Sequence, residues 1–532
     1  MTPPRPPSLA LLVAVVAVGV AAAWAPALRG DFVWDDQHDI VHSDRLHHAR
    51  AIVDVFRHHA MWSADQPETT VATYRPLALA TLAIDYQLWQ LRPTGYHATS
   101  ILLHILATLA LLLALRRLLR DDVAAAALAL LFALHPANAE AVAWINGRSE
   151  VLALLFGALA LWAAAARRPL WLPPFLLLAM LAKETGALFV PLAVAVAWIE
   201  PRETAGERLR PTWPPVVAAF AALVAYVALR AGALGRSALP TGALADAARA
   251  LPALWMRATQ AAVVPLDRAP VTLSSWLHAL GPKEHAAYAF ASLAVFGILA
   301  VLVVRQRLLA ALGLVWWLGA LVPTTAIVIL DYPWPGLARW LYIGLPGLIL
   351  CLYLAAAKRL SPRGQLALFT IVAAAWLIAA ERAIPTWRSD TQLYATMVEE
   401  SPDDAWAWRA LGINQLGLRH YAEAAPLFHK ASEIDHTEEV HAAFALEAFT
   451  WTYLDRCDEA VAQYRAHPPT PAVDPDLFAE GAAACYVRAG RIERARQLYR
   501  ACAAGRPTCQ TGLDTLPAPT AAQAPGPSQQ SR

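Results

Sequence analysis

Apolar runs about as long as a bilayer is thick recur along most of this chain, from residue 8 to residue 382, and they set its solvent before any motif is read. A helix needs ~20 mainly apolar residues to cross the hydrocarbon core. The runs occupy residues 8–28, 94–115, 121–135, 149–166, 169–182, 186–200, 213–232, 286–304, 308–330, 339–357 and 364–382. Two of them, 121–135 and 169–182, are short, so the length criterion gives about eleven transmembrane spans. Lipid offers no partner to a backbone N–H or C=O, so such spans are helical, and the fold class is all-α. Composition agrees: the 532 residues are 58% hydrophobic and only 16% charged, too apolar for a soluble domain of this size.

The net charge is +2, and the basic residues are scattered between apolar runs. Phosphate binding along a nucleic acid needs a concentrated basic face, so that partner is excluded. Within the first span, Ala23-Trp24-Ala25 is loosely similar to a signal cleavage site. More spans follow, and the first is expected to be retained.

Basic residues cluster in alternate short loops: Arg116, Arg117 and Arg120; Arg167-Arg168; Arg202, Arg208 and Arg210; Arg305 and Arg307; Lys358, Arg359 and Arg363. Such loops stay in the cytoplasm. The N-terminus is then inside and, with an odd number of spans, the C-terminus outside. Asp35, Asp36, Arg75, His135, Glu140, Arg148, Lys183, Glu184, Asp331 and Arg339 all fall at the opposite face. Ionisable groups beside a bilayer are costly, so their convergence marks a candidate site. Structural ion pairs locking helix ends are the competing explanation.

The connection from residue 29 to residue 93 carries Trp34, His38, Asp39, His42, His47, His48, His58, His59 and Trp62, then Tyr74-Arg75-Pro76-Leu77. Imidazole is a common zinc ligand. However, His47-His48 and His58-His59 are adjacent pairs, which diverge on a helix, unlike the i, i+4 pair of a zinc helix. No metal site is expected; an interfacial helix over residues 49–60, lying on the bilayer with its rings at headgroup depth, is.

Past residue 389 the apolar runs give way to charged amphipathic patterns. Trp408, Leu411, Gly412, Ala424, Phe428 and Ala431 fit the tetratricopeptide template, whose period is ~34 residues. Ala460 with Tyr464, and Ala495 with Tyr499 and Cys502, echo it. The chain thus reads as a membrane domain over 1–388, a helical-repeat domain over 389–510, and a tail over 511–532 too polar and proline-rich to pack. A stacked repeat array leaves a concave groove for a peptide or protein; a lid stabilising the membrane domain is the plainer alternative. Cys351 lies in a span. Cys457 with Cys485 and Cys502 with Cys509 is the preferred pairing of the three that four cysteines allow, in a compartment that permits disulfides.

The series Asp31-Phe32-Val33-Trp34-Asp35-Asp36, Tyr74-Arg75-Pro76-Leu77, Gly95-Tyr96-His97, His135-Pro136 leading to Glu140-Ala141-Val142, Gly147-Arg148-Ser149-Glu150, Ala182-Lys183-Glu184, and Arg339 with Leu341-Tyr342 resembles the transmembrane and tetratricopeptide-repeat O-mannosyltransferases. Order, spacing and the C-terminal repeats match over nearly the whole chain, most weakly over 201–320. The chain departs in carrying only about three repeats where that family often has many more.

The resemblance implies a type C glycosyltransferase, a polytopic enzyme that moves a sugar, here mannose, from a polyprenyl-phosphate donor to an acceptor protein on the outer membrane face. It implies that the Asp35-Asp36 pair supplies the base. The chemistry is sound in itself: a Ser or Thr hydroxyl is a weak nucleophile that a carboxylate within hydrogen-bond reach activates. One base suffices for inversion. Nothing in the sequence chooses between the two aspartates, although the preference is set on Asp36. The departing lipid phosphate needs cations, and Arg339, Lys183, Arg148 and Arg75 are the candidates. Glu140, Glu184 and His135 are read as support. No cofactor is called for beyond the lipid-linked substrate, and a divalent metal is left open. A transferase acting on an envelope glycan or lipid, and a non-catalytic scaffold or transporter displaying the repeats, are the alternative functions. The Ala, Arg and Pro bias suggests a bacterial inner membrane, with the repeats periplasmic.

Overall fold

The computed structural model describes residues 7–62, 73–199, 213–234, 244–265, 267–268, 280–281, 283–284, 286–294, 297, 308–322, 338–357, 359–434, 440–467 and 470–517. Arg202, Arg208, Arg210, Arg305, Arg307, Asp331 and Lys358 lie outside the described residues, and the expected spans 286–304 and 308–330 are described only in part. The chain divides into two compact units, Met1–Thr396 and Met397–Arg532. Every regular element among the described residues is a helix.

In the first unit six stretches are long and apolar enough to cross a membrane: Leu9–Arg29, Pro93–Leu119, Ile145–Ala165, Trp213–Leu234, Ala338–Ala357 and Pro362–Arg388. Asp122–Leu134 and Pro136–Val142, bent by 58°, make a seventh if counted together, while Leu172–Ala182, Glu184–Trp198 and Leu308–Leu321 are apolar but shorter. This is a multi-pass membrane protein, and about eleven full spans are not reached among the described residues. The bend has a local cause. Pro136 brings no N–H and disfavours helical geometry at the residue before it, so His135 is extended (φ −66°, ψ 128°) and the helix stops at Leu134. Elsewhere the helices close on small residues, as membrane helices do. A Cβ on Gly313 would fall 2.8 Å from the Gly347 carbonyl, so helices Leu308–Leu321 and Ala338–Ala357 touch backbone to backbone there.

The connection after the first helix is folded rather than spread on the bilayer. Ala51 and Val55 are fully buried with Phe32, Ile40, Leu46, Leu79, Leu82 and Tyr96. The expected interfacial helix over 49–60 is corrected to one α-turn, Ala51–Asp54, continued by a 3-10 turn, Val55–Arg57. The cause is a helix that the sequence reading leaves inside the loop, Pro76–Trp89, whose buried face supplies Leu79, Leu82 and Ala83. Histidines of this region pack. His47 stacks on Tyr86 with centroids 3.9 Å apart, and His58 on Trp62 at 4.6 Å. No cluster of His, Cys, Asp or Glu fit for a metal ion occurs among the described residues.

The second unit is a run of helical hairpins: Ala405–Gly417 with Tyr421–Ile434, Val440–Tyr453 with Cys457–Ala466, and Pro475–Arg488 with Ile492–Cys502. A final helix, Pro507–Thr515, runs past residue 510, where the sequence reading ends the folded domain. The core of the first two hairpins holds Ala424, Phe428, Ala445, Phe449 and Ala460. Disulfides join Cys457 to Cys485 and Cys502 to Cys509, the preferred pairing, and Cys351 is free and buried. Their sequence separations are 28 and 7, for which loop-closure entropy gives about 3.6 and about 2.4 kcal/mol. Replacing Cys457 and Cys485 by Ser is therefore expected to lower the unfolding temperature of this unit more than replacing Cys502 and Cys509, read by thermal scanning of the full chain under oxidising conditions.

Candidate functional site

The segment that leaves the first helix is drawn into a knot of backbone hydrogen bonds. Asp36 is 0% exposed, and both its carboxylate oxygens are taken: Oδ2 accepts the Val33 N–H at 3.1 Å and Oδ1 the Asn146 N–H at 3.0 Å. Asn146 donates its side-chain amide to Asp39 at 2.9 Å. Trp34 has φ +58°, a left-handed conformation unfavourable for a bulky residue unless its surroundings impose it. Here they do. Asp390 accepts the Trp34 N–H at 2.7 Å, the Trp144 indole donates to the Val33 carbonyl at 3.2 Å, and the Trp34 and Trp144 rings stack with centroids 5.1 Å apart.

This turn leaves Asp35 half-buried, facing the charges of Arg339, His38 and Arg75. Burial raises its carboxyl above the ordinary value, and Arg339 opposes the shift most. Burial pushes Asp36 further up, against the pull of its two backbone hydrogen bonds.

Arg339 opens the helix Ala338–Ala357 and is 6% exposed. Glu140 holds it twice: Oε2 accepts its backbone N–H at 3.0 Å, and Oε1 lies 3.5 Å from its Nε. The guanidinium lies over the Trp34 and Trp144 rings at 5.8 and 5.2 Å, a cation–π seat. Lys183 pairs with Glu150 and faces the Trp340 ring at 5.4 Å. Arg75 pairs with Glu184 at 3.0 Å, whose other oxygen accepts the Tyr74 N–H at 2.9 Å. Lys183 feels Arg75 and Arg339, and Glu140 feels Lys183, so the groups form one charged cluster with Asp35. Gly147 lets it close: a Cβ there would fall 2.4 Å from the Glu140 carbonyl oxygen.

Arg148 is not brought into this cluster, although the sequence reading groups it with the other cations. It is 1% exposed and pairs with Asp85 at 2.6 Å, donating also to the Tyr96 carbonyl at 2.9 Å. Thr99 donates to the other Asp85 oxygen at 2.7 Å. Residues two apart on a helix do not share a face, so Arg148 turns to Asp85 while Glu150 turns to Lys183. His135 donates Nε2–H to the Ala262 carbonyl at 2.9 Å and accepts the Ala137 N–H on Nδ1 at 3.2 Å, so it caps the broken helix and is likewise outside the cluster. Glu150, Trp34, Trp144, Asn146 and Asp390 are the site residues that sequence reasoning missed. Glu150 and Trp34 carried a signal, as members of the runs Gly147-Arg148-Ser149-Glu150 and Asp31-Phe32-Val33-Trp34-Asp35-Asp36.

A multi-pass helical membrane protein with a half-buried carboxylate set against paired cations is the class that fold and site define. Curated relatives narrow it. Over 180 residues the chain is 31% identical to protein O-mannosyl-transferase F38B6.6 of Caenorhabditis elegans, covering 33% of this chain and 26% of that protein. Over 192 residues it is 33% identical to protein O-mannosyl-transferase TMTC1 of Homo sapiens, covering 32% and 22%. Over 160 residues it is 34% identical to human protein O-mannosyl-transferase TMTC4, covering 27% and 21%. The chain spans about a quarter or less of the length of these relatives. No family model matches the chain, and no solved structure matches it. Over these stretches the chain is similar to protein O-mannosyl-transferases of the TMTC group.

Proposed function

We propose that this protein transfers mannose from a polyprenyl-phosphate donor to a Ser or Thr hydroxyl of an acceptor protein, with inversion, on the outer membrane face. The observation that carries the reading is Asp35: among the described residues, the carboxylate of the pair not consumed by backbone hydrogen bonds, in the field of Arg339, which sits over the Trp34 and Trp144 rings. Asp35, rather than the preferred Asp36, takes the hydroxyl proton as the acceptor oxygen attacks the anomeric carbon. The bond from that carbon to the phosphate oxygen breaks, its electron pair leaves with the polyprenyl phosphate, and Arg339, with Lys183 and Arg75, stabilises the phosphate charge. Asp36 braces the turn. The hairpins of the second unit, starting at residues 405, 440 and 475, suit a tetratricopeptide array with its ~34-residue period, and we assign acceptor binding to its groove. The full set of about eleven spans and an inner-membrane location belong to the same reading. Mass spectrometry of membrane and secreted proteins, with and without the gene expressed, tests it: O-linked hexose on Ser or Thr that requires the protein supports the proposal, and its absence argues for a scaffold.

The base must be ionised to work, which sets the pH response. Asp35 has a raised folded-state pKa, so turnover is expected to fall as pH drops through a point above the ordinary 3.8. Arg339 lowers that pKa, so Arg339→Gln is expected to move the acid limb to higher pH, beyond its effect on rate. The pH profile of residual kcat/KM checks this; an unmoved limb would assign Arg339 to the donor alone.

A further inference from the structure

The first and last of the membrane-crossing stretches in the first unit end in matched 3-10 turns. Ala25-Pro26-Ala27-Leu28-Arg29 ends one and Ile384-Pro385-Thr386-Trp387-Arg388 the other, each with proline second and arginine last. The turns are tied together, the Asp31 N–H donating to the Arg388 carbonyl at 3.0 Å. Between them lies a recess of about 180 Å³ lined by Pro26, Arg29, Gly30, Ala143, Pro385 and Arg388. Both arginines are exposed, and among the described residues neither has a carboxylate partner. Below the recess both helices show bare apolar faces: Leu11, Val15 and Val18 at 54, 52 and 69% exposure, Leu366 and Ile371 at 66 and 67%. Phosphate oxygens match paired guanidinium forks, and apolar side chains bared on membrane helices face acyl chains.

We infer that this recess binds an anionic phospholipid, its phosphate held between Arg29 and Arg388 and its chains lying along the faces of helices Leu9–Trp24 and Pro362–Ala383. The site is separate from the cluster at Asp35 but connected to it, since Trp387 beside the recess stacks on Trp144 at 5.7 Å, and Trp144 on Trp34. A seated headgroup holds the two turns together and steadies the stack beneath Arg339. The inference does not depend on the protein being a transferase.

Native mass spectrometry of the purified full chain, titrated separately with phosphatidylglycerol, phosphatidylcholine and polyprenyl phosphate, tests it. Wild type is expected to retain phosphatidylglycerol over phosphatidylcholine, and Arg29→Gln and Arg388→Gln each to weaken that retention about tenfold, the worth of one charge-assisted hydrogen bond. Arg359→Gln, which removes an exposed charge elsewhere, is expected to change nothing. Equal retention by wild type and the two variants, or an equal loss with Arg359→Gln, overturns the inference in favour of arginines that only anchor helix ends in the interface. Selective loss of polyprenyl phosphate also overturns it, by giving the recess to the donor.

Discussion

Asp35→Asn is expected to lower kcat by about 10²–10⁴, the range that a general base contributes, while leaving the unfolding temperature unchanged. Among the described residues Asp35 makes no backbone hydrogen bond that holds the turn, so removing its charge is expected to remove chemistry and little else. Asp36→Asn is expected to behave differently. An amide accepts through one oxygen only, so one of the Val33 and Asn146 N–H groups loses its acceptor in a buried place, at a cost of about 1–3 kcal/mol. Turnover then falls together with stability. Thermal unfolding and initial rates measured on the same preparations separate the two roles. An Asp36→Asn protein that is dead yet fully stable, beside an active Asp35→Asn, would reverse the assignment.

Asp85→Asn is expected to be strongly destabilising to the first unit. It strands the Arg148 guanidinium at 1% exposure, and breaking one side of a buried pair costs about 3–5 kcal/mol. The double variant Asp85→Leu with Arg148→Met removes both charges and is expected to recover most of that loss, since a well-packed apolar pair often equals a buried ion pair. Unfolding in detergent measures both. If Arg148 instead held the donor phosphate, Arg148→Lys would raise KM for the donor with little change in stability.

The membrane helices were legible because each is a long apolar run bounded by charge: the expected spans 8–28, 94–115, 213–232, 339–357 and 364–382 each fall on a helix of nearly the same extent. The bend at Pro136 was less so, since hydropathy does not register a change of direction. Pro76–Trp89 was missed because it packs against the folded connection and contains Asp85, which interrupts the apolar pattern. Within the site, Asp35, Arg339, Lys183, Glu140, Arg75 and Glu184 were legible as costly charges at one face, and the structure brings them together. Arg148 looked the same in sequence and went elsewhere, because its partner Asp85 lies 63 positions away in the chain, beyond what local spacing reveals. The choice between Asp35 and Asp36 was not legible either: it turns on a left-handed Trp34 held by Asp390, 356 residues distant.

The most direct test of the central claim is transfer of labelled mannose to protein by the purified chain in lipid nanodiscs, supplied with either polyprenyl-phosphate mannose or a mannose nucleotide. Label reaching Ser or Thr of the acceptor from the lipid donor only, and lost in Asp35→Asn, is the result expected. Transfer from the nucleotide alone, or undiminished transfer by Asp35→Asn, would contradict it.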